Sequence, residues 1–270
     1  MIIFQNENVT VFQSALFQTN STVVDTEDCI LVVDPTWLPH EIKEIQAHVA
    51  AIQNNKPIFL YFTHGDFDHI IGYNSFPDAK TIGSIDLKNH PEKEIKLSKI
   101  HQFYNDNYIT PDYPIEFPEV DYVIHEDGQK LEIGKTTFTF FNSPGHTKDG
   151  LFLLIEELGI WITGDYLSNF ELPFAYYSVK DYFSTLDKSS TILKSYPISL
   201  LIPGHGTVST DVVEMERRIG VAKDFLSRLK NAVLHKDETE INNLEKEILF
   251  PSDFTRYCHQ TNIELIKKEY

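Results

Sequence analysis

The stretch that decides the fold is Thr63-His64-Gly65-Asp66-Phe67-Asp68-His69-Ile70, "THGDFDHI". Two histidines and two aspartates fall within six residues, directly after the apolar run "KPIFLYF" (56–62). An apolar run of that length, rich in aromatic and branched residues, is a buried strand. The polar cluster therefore sits on the loop that leaves the strand. By itself such a loop is an acidic turn or a set of metal ligands, and the rest of the chain must choose.

The same arrangement recurs. Asp34 ends "LVVDP", His146 stands in "SPGHT" after "TFTFFN", Asp165 stands in "TGD" after "GIWI", and His205 stands in "IPGHG" after "SLL". Each is a His or Asp at the end of an apolar run. Gly145, Gly164 and Gly204 directly precede three of them, and glycine allows the tight backbone such loops need. Taken singly, Asp34 before Pro35 is an ordinary turn residue, and Gly164-Asp165 is an ordinary helix cap. Taken together, strands that deliver His and Asp to one edge bring them to one point.

The elements between these loops read as follows. "NVTVFQS", "TNSTVVDTE" and "DCILVVDPT" are strands, and "PHEIKEIQAHVAAIQ" is a helix with Ile42, Ile45, Val49 and Ile52 on one face. "KLEIGKTTFTFFN" is two strands about Gly134, and "DGLFLLIEELGIWITGD" is a hairpin turning at "ELG". From Thr210 onward the pattern is helical: "DVVEMERRIGVAKDFLSRLKNAVL", "EINNLEKEIL" and "SDFTRYCHQTNIELIKKEY". Residues 87–124 begin helix-like, become Tyr- and Pro-rich, and read as an insertion or lid. The expected organisation is a domain over 1–209, carrying that insertion, with a helical segment over 210–270 packed on it or completing it.

Composition excludes several partners. The 270 residues are 41% hydrophobic, enough for a full-sized core, and carry 40 acids against 23 bases, a formal charge of −17. Nucleic acid and anionic membrane call for clustered Lys and Arg, so neither is expected. Cys29 and Cys258 are far apart and form no CxxC, which suggests neither a disulfide framework nor a thiolate metal site. The N-terminal "MIIFQNENVTVFQS" lacks a basic and then apolar leader and reads as a first strand. The expectation is a cytoplasmic protein acting on a small molecule, with a homo-oligomer left open.

The ordered set Asp34, His64-x-Asp66-x-Asp68-His69, His146, Asp165 and His205 resembles the metallo-β-lactamase superfamily. The resemblance spans residues 34–205 and rests on five separated elements in the family's order. It implies an α/β (α+β) fold, an αββα sandwich, with two divalent metal ions at one edge. Carried over by position, His64, Asp66 and His146 would hold the first ion, and Asp68, His69 and His205 the second. Asp165 would bridge them and Asp34 would orient a ligand from behind. The implied chemistry is hydrolysis, in which a metal-bound hydroxide attacks a small ester, thioester, lactone or phosphoester and Asp68 passes a proton to the leaving group.

One position departs from the family pattern His-x-His-x-Asp-His: its second histidine is here Asp66. The extra carboxylate lowers the formal charge of the ligand set by one unit and makes it harder. Zinc accepts such a set, and iron or manganese become candidates. A redox branch of the superfamily, the flavodiiron proteins, places a carboxylate at this position, so a diiron redox enzyme is the alternative, and a non-catalytic metal-binding protein the third reading. The chain shows no flavodoxin pattern, which keeps hydrolysis first. Aromatic residues beside the motifs, Phe67, Tyr166, Phe174, Tyr176 and Tyr177, are the expected substrate wall. Phe103, Tyr104, Tyr108, Tyr113 and Phe117 of the insertion are expected to extend it. His40, His48, His90, His101, His125, His235 and His259 are expected only to pack or face water.

Overall fold

Strands whose residues are apolar at every position must be covered on both faces. The computed structural model, which describes residues 1–270, shows this directly. The first sheet runs in chain order through β1 (Ile2–Gln5), β2 (Val9–Gln13), β3 (Asn20–Asp25), β4 (Ile30–Val33), β5 (Ile58–Tyr61), β6 (Lys80–Ser84) and β7 (Tyr122–Ile124). It is antiparallel as far as β4 and parallel from β4 to β7. The second sheet is formed by β8 (Gln129–Ile133), β9 (Thr136–Asn142), β10 (Leu151–Ile155), β11 (Ile160–Ile162) and β12 (Leu200–Ile202). Only its β11–β12 pair is parallel.

Alternate residues sort into two cores. Leu31 and Val33 of β4 and Phe59 and Tyr61 of β5 point inward to Phe138, Phe140, Leu153 and Ile162 of the second sheet. Ile30, Val32 and Leu60 point outward, under α1 (Pro39–Ile52), where Ile45 and Val49 cover them. The short helices α2 (Phe67–Ile70) and α3 (Ile85–Lys88) and the longer α4 (Lys93–Asp106) lie on the same side, with Ile70, Leu87, Ile100 and Tyr104 in that core. On the other face, Phe152, Leu154, Trp161 and Leu201 meet α5 (Val179–Ser195), α6 (Val212–His235) and α8 (Asp253–Glu269), with α7 (Glu238–Lys246) beside α6. The layers are helix, sheet, sheet, helix.

The sequence patterning singles out neither β6, β7 nor α5. Helix α5 nonetheless carries local signals: Ser178 caps it by accepting from the Asp181 N–H, and Val179, Tyr182, Leu186 and Leu193 bury one face. The segment 87–124 is no detached lid. It supplies α4 against the first sheet and ends in β7, the sheet's last strand. Helices α6 and α8 share one core with Trp161, through Leu226, Leu229, Ile263 and Ile266. No helix is long and apolar enough to cross a membrane.

Candidate metal centre

β4, β5, β9, β11 and β12 all end at one edge of the sandwich, and their following loops converge there. His64, Asp66, Asp68, His69, His146 and His205 are all buried in this group, with Asp165 nearly so. The loops have physical reasons to be shaped as they are. Gly145 has φ +132°, and a Cβ there would lie 2.4 Å from the Tyr182 Cα. Gly204 is required by proximity: a Cβ would stand 2.5 Å from Asp165 Oδ1.

The histidine rings are held from behind. His69 Nδ1 donates to Asp34 Oδ2 at 2.9 Å, His146 Nδ1 to the Phe174 carbonyl at 2.6 Å, and His205 Nδ1 to the Phe17 carbonyl at 2.9 Å. Thr63 donates its hydroxyl to Asp34 Oδ2 at 2.6 Å, so at 3.0 Å its oxygen accepts from His64 Nδ1. Asp34 itself adopts φ +44°, pinned by the Thr63 N–H on Oδ1 at 2.9 Å. With every Nδ1 engaged, every Nε2 is free to face the centre, the arrangement that orients imidazole ligands.

Asp165 stands between two trios. Its Oδ2 lies 3.6 Å from His64 Nε2 and 3.1 Å from His146 Nε2. Its Oδ1 lies 3.1 Å from His69 Nε2 and 3.3 Å from His205 Nε2. Asp66 Oδ2 joins the first pair, 3.7 Å from His64 and 3.4 Å from His146. Asp68 Oδ2 joins the second, 3.6 Å from both His69 and His205.

These side chains fit a pair of cations. His64, His69 and His146 Nε2 and Asp165 Oδ1 are buried without any hydrogen-bond partner. Unpaired buried polar atoms are costly, and four of them aimed at one place call for a ligand. The donors are four imidazole nitrogens and three carboxylates, a set suited to zinc, iron or manganese. The electrostatics agree: burial opposes charge on His146 and His205, yet Asp165 with Asp66, and Glu171 with Asp165, respectively, push them up to about 10. The carboxylates draw positive charge into the site.

Asp66 has a partner of its own. Lys96 of α4 places Nζ on Asp66 Oδ1, and both side chains are largely buried. Burial pushes the Asp66 carboxyl up, but the nearby His146 ring, the Lys96 ammonium and His64 hold it well below the usual carboxylate range. One Asp66 oxygen faces the first trio and the other faces a lysine. Residue types alone give no hint of this: Lys96 lies between Lys93 and Lys99 on a charged helix.

A cavity of about 710 Å³ opens onto the cluster. Phe67, Phe174 and Tyr176 line it, as the sequence suggests. Tyr166 and Tyr177 do not. Tyr166 is buried under the sheet, where its hydroxyl donates to the Pro144 carbonyl and accepts from the His146 N–H, so it shapes the loop. Tyr177 is 42% exposed on the outer surface. The insertion's aromatics are elsewhere too: Phe103 packs on Trp37, Tyr104 meets Tyr113, Phe117 stacks near His90, and Tyr108 is 97% exposed. The far wall comes instead from the α7–α8 connection, through Leu249 and Phe250, and from Phe254 in the first turn of α8. Glu171 also faces the cavity, 4.0 Å from His205 Nδ1. Partial withdrawal from water pushes its carboxyl up to about 7, with His205 pulling it down and Asp165 and Asp68 pushing it up.

Two histidines expected only to pack stand close to the site. His90 stands beside Gly65 and near buried Asp149, whose Oδ2 accepts the Gly65 N–H at 2.7 Å and so fixes the ligand loop. His259 lines the cavity.

Comparison with known proteins agrees with this architecture. The family model described as "Metallo-beta-lactamase superfamily" matches residues 15–205. A curated protein of Caenorhabditis elegans, "Beta-lactamase-like protein 2 homolog", is 23% identical over 258 residues, covering 93% of this chain and 78% of its own length. Among solved structures, a metallo-beta-lactamase family protein from Thermus thermophilus superposes with a TM-score of 0.68 at 17% identity, over 98% of this chain and 94% of that one. An archaeal superfamily protein from Sulfolobus tokodaii gives 0.60 at 14% identity, over 98% and 100%.

Proposed function

This chain belongs to the metallo-beta-lactamase superfamily, and from that premise we propose that it is a metal-dependent hydrolase of a small ester, thioester, lactone or phosphoester. The observation that carries the reading is the division of Asp165, with Oδ2 toward His64 and His146 and Oδ1 toward His69 and His205. A carboxylate so divided would serve both ions, were one bound at each trio. Bound there, the ions supply Lewis acidity and bring the pKa of water toward neutrality.

The chain's own residues do the rest. His64, Asp66 and His146 would hold one ion and Asp68, His69 and His205 the other, with Asp165 common to both. Asp34 keeps the His69 ring in one tautomer and, through Thr63, the His64 ring. Asp68 lines the cavity. Burial raises its carboxyl, His69 and His205 lower it, and Asp165 and Asp66 raise it further, with a net upward shift. Facing the cavity, Asp68 would pass a proton to the leaving group.

Lys96 weakens the case for the diiron redox alternative. That reading rests on the extra carboxylate at Asp66, and a buried ammonium on Oδ1 offsets its charge. The test is a panel of esters, thioesters, lactones and phosphodiesters, offered to the protein with and without chelator. Turnover of one class, lost with chelator and restored by zinc, iron or manganese, is the expected result. A fully metallated protein that turns over none of them would overturn the reading.

A further inference from the structure

The cavity beside the metal ligands is unlike one built for a charged substrate. Its walls are largely apolar and include Phe17, Phe67, Phe170, Leu249, Phe250 and Phe254. Its one Lys or Arg is Arg218, and every nitrogen of that guanidinium is already bonded within the protein. Nε donates to Glu214 at 2.9 Å, Nη1 to the Leu167 and Thr207 carbonyls at 3.1 and 2.8 Å, and Nη2 to the Thr207 hydroxyl at 3.3 Å. The carboxylates Asp66, Asp68, Asp165 and Glu171 face the same space. Away from the metal ligands, an anionic tail would meet Glu171 and no free cation.

The rim carries the same character outward. Leu249 is 62% and Phe250 53% exposed, and Phe17 and Phe254 are exposed as well. Large apolar side chains left in water around a cavity mouth are unusual in a monomer and mark a binding surface. They are also organised: Phe254 packs edge-on against Phe17 and Phe174, and Phe250 against Phe170. Phe174 carries the wall down to the centre, since its carbonyl accepts from His146. A continuous apolar path runs from the α7–α8 connection to the metal ligands. At about 710 Å³ the space suits a drug-sized molecule.

We propose that the substrate is a neutral acyl ester, thioester or lactone with a linear hydrocarbon chain, and that the chain lies along this path under the α7–α8 connection. The proposal rests on the hydrolytic reading and narrows it. Water adds to the acyl carbon, the bond from that carbon to the leaving oxygen or sulfur breaks, and the leaving group takes a proton. The products are a carboxylic acid and an alcohol or thiol, and nothing is oxidised or reduced.

The test has two arms. In the first, n-alkanols from butanol to decanol are titrated into the metal-loaded protein by calorimetry. Affinity is expected to climb about fourfold per methylene, the transfer free energy of one buried CH2, until the path is full. In the second, p-nitrophenyl esters from acetate to decanoate are hydrolysed. The value of kcat/KM should climb with chain length, and an ester whose far end is a carboxylate should fall well below its methyl-ended counterpart. Phe250→Ala with Phe254→Ala should flatten the alkanol slope. Alkanol affinity that climbs while the metal-loaded protein cleaves neither these esters nor the thioesters, lactones and phosphodiesters of the wider panel would uphold the chain site and overturn the hydrolytic reading. Flat alkanol affinity with esters cleaved equally at every length would overturn the chain site and leave the hydrolytic reading standing.

Discussion

Lys96 Nζ closes the outer oxygen of Asp66, so the carboxylate that replaces the family's second histidine is paired with a buried ammonium. The pair joins α4 to the loop after β5. It restores the unit of positive charge that the aspartate takes away. Burial disfavours the Lys96 ammonium, but Asp66 more than compensates and raises its pKa.

The pair predicts a double-mutant pattern. Lys96→Met should weaken metal retention by about 10–100-fold, the usual range for a residue that orients a ligand. Asp66→His alone should destabilise the fold by about 3 kcal/mol or more, since it strands a buried charge. The combination Asp66→His with Lys96→Met should recover much of both losses. Equilibrium dialysis against a chelator and urea denaturation read the two quantities. Equal metal retention in wild type and Lys96→Met would show that Asp66 binds without help.

Asp34 predicts a different split. It touches His69 and Thr63, not the cavity. Asp34→Asn keeps the size but loses one acceptor oxygen, so either the Thr63 N–H or both the Thr63 hydroxyl and His69 Nδ1 give up their partner. Metal affinity should drop about 10–100-fold, while KM for any substrate turned over at saturating metal stays within about twofold, a change worth under ~0.5 kcal/mol. A large KM change with metal affinity intact would place Asp34 in substrate binding.

Cys258 predicts an inert thiol. It lines the cavity, and burial, with Glu171 nearby, pushes it up to about 12. Thiolate is the reactive form, so native protein at pH 8 should alkylate with iodoacetamide far more slowly than urea-unfolded protein. The sign for stability follows. The folded pKa lies above the unfolded value near 9, so the native state keeps a proton that the unfolded chain releases. Cys258 therefore stabilises the fold less as pH rises from about 9 toward 12. Fast labelling at pH 8 with the fold intact would contradict this.

Much of the architecture was legible because its signals are local. A run such as "ILVV" or "LFLLI" has only one strand reading when both faces must be covered, and the ligands stand in the loops just beyond such runs. The misassigned tyrosines show the limit. Tyr166 follows Asp165 directly and Tyr177 follows Tyr176, yet neighbours in a turning loop point to opposite sides. The roof could not be read for another reason: "ILFPSDF" is far from His146 along the chain and shares no element with it, and only α6 and α8 packing on the second sheet bring it over the centre. Its one available signal was an apolar triplet before Pro251 in a connection that should be polar. Lys96 and Glu171 gave none, because pairing and enclosure are properties of the fold.

The central claim is that two trios of ligands and one shared aspartate hold two ions. Elemental mass spectrometry on protein purified without chelator or added metal tests it most directly. About two ions of zinc, iron or manganese per chain is the predicted result, falling to one or none in Asp165→Ala. Wild-type protein that holds no ion, even after dialysis against each of these metals, would contradict the account.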